Sequence, residues 1–242
     1  MGLQGRTAVI IAGGTGFGAA ISRALAEAGA RVMVGDSDET AAQMLAQEID
    51  GLWSEVDPLQ NSSLGALAYK VADQLGDIDI LVNAHLPALT PKPLDEWTEA
   101  EFDAALLAQT KPLFLATRHF VPAMKVRRSG VILSILGPAK TTVSWPDAAR
   151  GWGETAIKAV ALELGPFGIR VNALSLLADS SPVLPSFMGG KKNDDRARKL
   201  ASIPLGRFTL ADDLGAAAQF LCSDAASLIT GSVIDVNGGA GL

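Results

Sequence analysis

The sequence predicts a doubly wound α/β fold, in which a seven-stranded parallel sheet lies between two layers of helices. Short β-branched runs alternate with longer amphipathic stretches along the chain. The strand candidates are almost continuously apolar, as is typical of parallel strands buried on both faces. No Pro- or Ser-rich linker divides the 242 residues, a length that suits one large domain. We therefore expect a single three-layer α/β/α domain over residues 1–242.

The elements follow one another in strict β-α alternation. The strand candidates are residues 7–11, 31–34, 52–56, 78–83, 131–135, 170–174 and 233–236. The helix candidates are residues 19–28, 39–49, 63–75, 99–124, 148–164 and 212–221. After the sixth strand, residues 182–198 contain a run of charged residues and are expected to form a solvated excursion from the domain.

Composition excludes several classes of function. Hydrophobic residues make up 48% and charged residues 19%, which favours a large core over disorder. The net charge of −6 makes nucleic acid an improbable partner, because an acidic surface repels phosphates. Cys222 is the single cysteine, which excludes an internal disulfide and suits a reducing compartment. The sequence shows neither a signal peptide nor an apolar run of about 18 residues. We therefore expect a cytoplasmic protein with no membrane partner and no metal site.

Four stretches carry a resemblance to a known family. They are Asp79-Ile80-Leu81-Val82-Asn83, Val121-Pro122-Ala123-Met124, Gly168-Ile169-Arg170-Val171-Asn172-Ala173, and a tail with Ile203-Pro204-Leu205-Gly206-Arg207-Phe208 and Asn237-Gly238-Gly239. Over essentially its whole length the chain resembles the classical short-chain dehydrogenases/reductases. The resemblance implies a Rossmann-type sheet, NAD(P)-dependent hydride transfer, and a lid over the substrate at residues 182–198.

The first turn of the chain keeps part of the family's dinucleotide motif. That motif, Thr-Gly-x-x-x-Gly-x-Gly, brings backbone N–H groups to the pyrophosphate. Residues 11–18 place Gly16 and Gly18 in register, while Ala12 takes the first glycine position. Gly13 replaces that glycine if the loop is one residue shorter. The resemblance therefore assigns Gly16 and Gly18 to the cofactor site.

Two further residues belong to the predicted cofactor site. Asp36 follows the second strand, where family members that use NAD bind the adenine-ribose hydroxyls; alternatively it is an aspartate that forms a turn. Asn83 opens the segment that corresponds to the family's Asn-Asn-Ala-Gly.

Several other cofactor positions depart from the family pattern. His85 and Leu86 replace the small residues after Asn83, Glu55 replaces an aspartate, and Leu176-Leu177 replaces a Pro-Gly turn. His85 is read either as a ligand or base, or as a packed side chain. The leucines are expected to occupy the pocket. We expect that this chain binds no cofactor, or binds NAD weakly.

The positions that carry the chemistry in the family are all altered. The family uses an asparagine, a serine, a tyrosine and a lysine, and the tyrosine acts as general acid/base. In register these positions hold Gln109, Gly137, Pro146 and Arg150. The only tyrosine, Tyr69, lies in the helix candidate 63–75, off its apolar stripe of Leu64, Leu67, Ala68, Val71 and Leu75. No catalytic residue is predicted.

Alternative readings of this region remain open. Glu154 and Lys158 reproduce the Tyr-x-x-x-Lys spacing, although an i,i+4 pair of this kind is ordinarily a helix-stabilising pair. Arg150 resembles the arginine of non-redox halohydrin dehalogenases within this family. Thr141, Thr142 or Ser144 could replace the serine, and Trp145 and Trp152 are expected to fill the vacated site.

The surfaces that members of the family use for assembly look intact. In the family the fourth and fifth helices and the last strand form tetramer interfaces. The fifth helix here carries small residues that permit close approach, namely Ala148, Ala149, Gly151, Gly153, Ala156 and Ala159. We therefore predict the non-catalytic subunit of a heterotetramer whose homologous catalytic subunit binds NAD. The rival readings are an NAD-sensing or scaffolding homo-oligomer and a non-redox enzyme using Arg150 or Glu154/Lys158.

Overall fold

The computed structural model describes residues 2–86, 93–137, 145–176 and 200–240, without the side chains of Gln109 and residues 145–150. Seven parallel strands form one sheet in the order β3-β2-β1-β4-β5-β6-β7. They are β1 Thr7–Ile11, β2 Arg31–Asp36, β3 Leu52–Glu55, β4 Ile80–Asn83, β5 Gly130–Leu136, β6 Ile169–Leu176 and β7 Val233–Val236. The predicted doubly wound parallel sheet is confirmed.

Helices cover both faces of this sheet. Those in the described parts of the chain are α1 Gly16–Glu27, α2 Glu39–Glu48, α3 Asn61–Gln74, α4 Glu99–Arg127, α5 Trp145–Leu164 and α6 Ala211–Cys222. Short 3-10 helices cover Leu94–Glu96, Gly165–Phe167 and Asp224–Ala226. None of the helices in the described segments is long and apolar enough to cross a membrane.

Two hydrophobic cores separate the layers. Because successive strand residues point to opposite faces, Ile10 packs into one core and its neighbours Val9 and Ile11 into the other. The first core receives α1, α2 and α6, and the second receives α3, α4 and α5. Strands buried on both faces explain why the apolar runs in the sequence are continuous.

The order of the strands fixes the position of the site. The chain passes from β1 outward to β3 and returns to β4 on the other side of β1. Ligands of doubly wound sheets bind outside the carboxyl ends of the strands, at the point where this reversal occurs. The carboxyl ends of β1, β2, β4, β5 and β6 therefore border the candidate site.

Several predicted features lie outside the described residues. They are the lid-like segment 182–198, Leu177, and the alternative hydroxyl residues Thr141, Thr142 and Ser144.

Candidate functional site

The glycine-rich turn after β1 is tightly folded. Ala12 has a φ of 56°, in the left-handed region that favours glycine, and Gly16 has a φ of 52°. A Cβ atom on Gly18 would lie 1.9 Å from the carbonyl oxygen of Ala12, so only glycine fits there. The left-handed residue is Ala12 and not Gly13, which agrees with the register that places Ala12 at the first glycine position.

The N-terminus of α1 faces this turn, and α1 itself provides no side chain that offsets its positive dipole end. Thr15 occupies the N-cap position, but its side chain makes no capping hydrogen bond, and the first turn contains no acidic residue. The first N–H groups and the positive end of the helix dipole are therefore not satisfied by α1 itself. This arrangement suits a phosphate group.

Asp36 is buried at the end of β2 and is held by backbone N–H groups. Its Oδ2 accepts a hydrogen bond from Gly14 N at 2.8 Å, and its Oδ1 accepts one from Asp38 N at 3.1 Å. Gly14 also packs closely on α2, since a Cβ atom there would lie 2.9 Å from Ala42 N. Asp36 thus ties the glycine-rich turn to the start of α2. Hydroxyl groups of a ribose would have to share its oxygens with these two N–H donors.

Unsatisfied polar atoms occur beside β1 at the carboxyl end of β4. Asn83 is 5% exposed and is aligned with Ser134 of β5. Within the described parts of the chain, neither Asn83 Oδ1 nor Ser134 Oγ has a hydrogen-bond partner. Such buried groups ordinarily bind water or a ligand.

His85 is half-buried two residues beyond β4. Its Nε2 atom is buried without a hydrogen-bond partner among the described residues. Burial lowers the pKa of the imidazole, and the carboxylates of Asp57 and Asp36 oppose this effect only in part. Leu86 packs against the first core. His85 is therefore a neutral imidazole at neutral pH.

The position that corresponds to the family's serine carries no side chain. Gly137 follows β5, and its carbonyl oxygen accepts a hydrogen bond from Ser175 Oγ at 3.3 Å. A Cβ atom added to Gly137 would meet no described residue within 4 Å. Gln109 lies in α4, and Pro146 and Arg150 lie in the first turns of α5.

Tyr69 is the only tyrosine of the chain. It is 78% exposed on α3, whereas Leu64, Leu67 and Val71 of the same helix are buried. The tyrosine therefore lies on the solvent side of α3, as the apolar stripe predicts.

Two expectations about bulky residues need correction. Trp152 does not fill a buried site, because it is 39% exposed and lines a groove between α4 and α5. Leu176 is 4% exposed as part of β6 and packs within the first core. It contributes to the fold at the base of the site and is not a side chain projecting from a loop.

The small residues of α5 do not form one assembly face. Gly153 is buried, and a Cβ atom there would lie 2.9 Å from Leu136 Cδ2 of β5. Ala156 packs against the second core, whereas Gly151 and Ala159 are exposed. The expectation that Gly153 serves contact with another subunit is wrong, because it serves contact between α5 and the sheet.

An apolar groove of about 540 Å³ separates α4 from α5 on the outer surface. Phe114, Trp152 and Val160 line it, and Phe114 is 58% exposed. Its acidic group, Glu163, forms an ion pair with Lys125 at 2.9 Å. The sequence reasoning missed this groove, although Leu107, Lys111, Phe114 and Arg118 recur at helical spacing on α4.

The described residues contain no cluster of three or more His, Cys, Asp or Glu side chains that could hold a metal ion. Among the described residues, the carboxyl edge offers backbone N–H donors, the Asp36 carboxylate, the polar groups of Asn83 and Ser134, and the neutral imidazole of His85. They can bind a nucleotide, but they include no tyrosine–lysine pair for acid/base chemistry.

The strand order and the glycine-rich turn define a protein of the dinucleotide-binding α/β class. Residues 11–241 match the profile of the family described as Enoyl-(Acyl carrier protein) reductase. The chain therefore belongs to the classical short-chain dehydrogenase/reductase family.

Relatives with described activities match the chain end to end. The 4-formylbenzenesulfonate dehydrogenase TsaC1/TsaC2 of Comamonas testosteroni is 32% identical over 99% of both chains. The cis-4-hydroxycyclohexanecarboxylate dehydrogenase of Sinomonas cyclohexanicum is also 32% identical, over 97% of this chain and 96% of the relative.

Solved structures resemble the fold closely. A 3-ketoacyl-(acyl-carrier-protein) reductase from Brucella melitensis in complex with NADH superposes with a TM-score of 0.91, at 33% identity over 99% of this chain and 100% of the other. A 7α-hydroxysteroid dehydrogenase in complex with NADH and 7-oxo glycochenodeoxycholic acid gives a TM-score of 0.91, at 29% identity over 99% and 95% of the two chains.

Proposed function

We propose that the chain is the non-catalytic subunit of a hetero-oligomeric, NAD-dependent alcohol dehydrogenase whose homologous partner oxidises a secondary alcohol. The observation that carries this proposal is a family scaffold without a proton donor at its site. Gly137 replaces the serine, and the only tyrosine lies exposed on α3. A fold that keeps its family architecture but lacks acid/base groups is most useful through its surface.

The residues fit one half of the cofactor better than the other. The uncapped N-terminus of α1, with Gly16 and Gly18, suits the pyrophosphate, and Asp36 lies where the adenosine ribose would bind. Bound NAD supplies the hydride acceptor of the reaction. Because Pro146 stands at the predicted tyrosine position, we assign the proton transfer to the partner. The bulky His85 replaces a small residue of the family, and on this ground we propose that NAD binding here is weak and vestigial.

The outer face of α4 and α5 supports assembly. Leu107 and Phe114 are 51% and 58% exposed on α4, and Leu162 is 81% exposed on α5. Exposed apolar side chains of this size, together with the apolar groove that Phe114 lines, are typical of a surface that another protein covers.

The substrate of the complex is proposed by resemblance. The chain resembles the non-catalytic subunit of the heteromeric alcohol dehydrogenase of benzylsuccinate β-oxidation in anaerobic toluene degradation. We extend the proposal to a hydroxyacyl-CoA substrate such as the 2-(hydroxybenzyl)succinyl-CoA intermediate. Relatives named for 4-formylbenzenesulfonate and cis-4-hydroxycyclohexanecarboxylate support a ring-bearing substrate class.

Co-expression tests the proposal. A family member with an intact Tyr-x-x-x-Lys, encoded beside this chain, should co-purify with it as a mixed tetramer. Activity should vanish when the partner's tyrosine is replaced by phenylalanine. Phe114→Asp should prevent co-purification, whereas Leu228→Asp, at a site 97% exposed on another surface, should not. A partner that is soluble and active alone and never binds this chain would refute the proposal.

The main rival is an NAD-sensing or scaffolding homo-oligomer, which the retained Gly16, Gly18 and Asp36 favour. Calorimetry with NAD(H) separates the two functions. The proposed subunit binds no tighter than about 1 mM, or roughly −4 kcal/mol. A micromolar dissociation constant that is lost in Asp36→Ala would establish the sensor instead.

A further inference from the structure

The assembly surface has a charge pattern that bears on the choice of partner. We define the α4–α5 surface by Leu107, Lys111, Phe114 and Arg118 of α4 together with Trp152 of α5. The α4 residues follow one another at spacings of three or four, so they form one stripe along the helix. Phe114 lies near the middle of this stripe.

Two cations flank Phe114 without a partner. Over the described ranges of the chain, neither Lys111 nor Arg118 makes an ion pair or hydrogen bond, whereas Lys125 and Glu163 neutralise each other. The other carboxylate on this side of α4 is Asp103, about 16 Å from Phe114 along the helix axis. At that distance the Asp103 carboxylate has little electrostatic effect on the centre of the surface, because the Debye length is about 8 Å at physiological salt. The centre of the surface is therefore positive although the whole chain carries −6.

This pattern disfavours pairing of the surface with its own copy. An isologous dimer centred on Phe114 brings Lys111 and Arg118 of both chains close to one two-fold axis. Like charges that face each other across an interface destabilise the complex. A partner with an apolar centre flanked by carboxylates avoids this cost and gains two ion pairs.

We propose that the α4–α5 surface selects a partner protein that carries acidic residues opposite Lys111 and Arg118, and that it rejects a second copy of this chain. The inference rests on the proposed function for the use of this surface in assembly. It adds the chemistry of the partner and a reason for heteromeric assembly.

The experiment needs only this chain. The double variant Lys111→Glu/Arg118→Glu serves as the acidic probe and is mixed with the unmodified chain. Native mass spectrometry then compares heterodimers with both homodimers. The measured quantity is the squared heterodimer concentration divided by the product of the two homodimer concentrations. We expect this ratio to be at least about ten-fold higher than the value that random pairing gives. The excess should shrink as salt rises.

Two controls make the outcome specific. A mixture with Lys158→Glu, which alters an exposed lysine outside the surface, should show no heterodimer excess, because both components keep the positive surface. Phe114→Asp in both components should remove the excess. The inference is overturned if the acidic probe pairs at random with the unmodified chain, or if the two do not associate. It is also overturned if the unmodified chain forms a homodimer that the substitution Phe114→Asp dissociates. This experiment uses no natural partner. Its outcome therefore does not depend on the outcome of the co-expression experiment that tests the proposed function.

Discussion

At the scale of single residues, the turn after β1 contains a residue in a disfavoured backbone conformation and is held by a hydrogen bond to another strand. Ala12 adopts a left-handed conformation that glycine adopts without strain. A side chain at position 18 would collide with the carbonyl oxygen of Ala12, so Gly18 is the residue that fits there. Asp36 holds the turn in place through Gly14 N. The turn therefore keeps its shape by tertiary hydrogen bonding and tolerates a residue that its backbone disfavours.

The substitution Ala12→Gly is expected to stabilise the protein. A left-handed backbone destabilises a residue that has a Cβ atom by roughly 1–2 kcal/mol, and glycine removes this strain. Glycine also raises the conformational entropy of the unfolded chain, which offsets part of the stabilisation. We expect a net increase of about 1 kcal/mol in the free energy of unfolding, measured by urea denaturation. The matched control is Ala28→Gly, where φ is −75° and glycine should destabilise by a similar amount. Equal destabilisation by both variants would contradict the strain argument.

His85 gives the stability a dependence on pH. Burial lowers its pKa in the folded protein below the ordinary value of 6.5, so the unfolded chain binds the proton more readily. The contribution of the neutral imidazole is fully present above about pH 6.5 and is lost as the pH falls through the lower folded value. His85→Gln should therefore flatten the decline in unfolding free energy between about pH 7 and 5. Urea titrations at several pH values measure this slope, with His119→Gln as a second imidazole variant. Identical slopes with and without His85 would count against the prediction.

At the scale of elements, the strands and helices were predictable because burial on both faces makes parallel strands continuously apolar. Their ends were not. The prediction stops β2 at residue 34, yet Gly35 and Asp36 continue it because they pair with Ser54 and Glu55 of β3. Both residue types disfavour strands, so pairing with a neighbour overrides local preference. The role of Gly153 was equally hidden, since residue size does not reveal which element lies opposite.

Two glycines of α5 test that assignment. Gly151→Ala should stabilise the protein by about 1 kcal/mol, because its methyl group meets open space and alanine favours helix. Gly153→Ala gains the same propensity, but its methyl group crowds Leu136 at 2.9 Å, and overpacking costs about 1–3 kcal/mol. Thermal and urea unfolding should rank Gly151→Ala above Gly153→Ala by at least about 1 kcal/mol. Equal stabilisation would show that Gly153 does not pack on the sheet.

At the scale of the whole molecule, the family fold was predictable, whereas contacts between distant segments were not. The register of the sequence placed Ala12, Gly16 and Gly18 in the turn. The engagement of Asp36 by Gly14 joins residues 22 positions apart, which no local pattern shows. Likewise the total charge of −6 conceals the positive centre of the α4–α5 surface.

The isolated chain is expected to have no dehydrogenase activity with NAD(H) or NADP(H). Turnover requires a group that accepts the proton of the alcohol as the hydride leaves, and the predicted register puts Gly137 and Pro146 at the positions of the family's serine and tyrosine. Gly137→Ser should fold normally, because its Cβ atom contacts none of the described residues, and should remain inactive without a tyrosine. Spectrophotometric assays with a panel of secondary alcohols and ketones measure this, with a Tyr-x-x-x-Lys member of the family as positive control. Activity of the unmodified chain that disappears in Glu154→Gln or Lys158→Ala would establish an alternative acid/base pair on α5 and make this protein an enzyme in its own right.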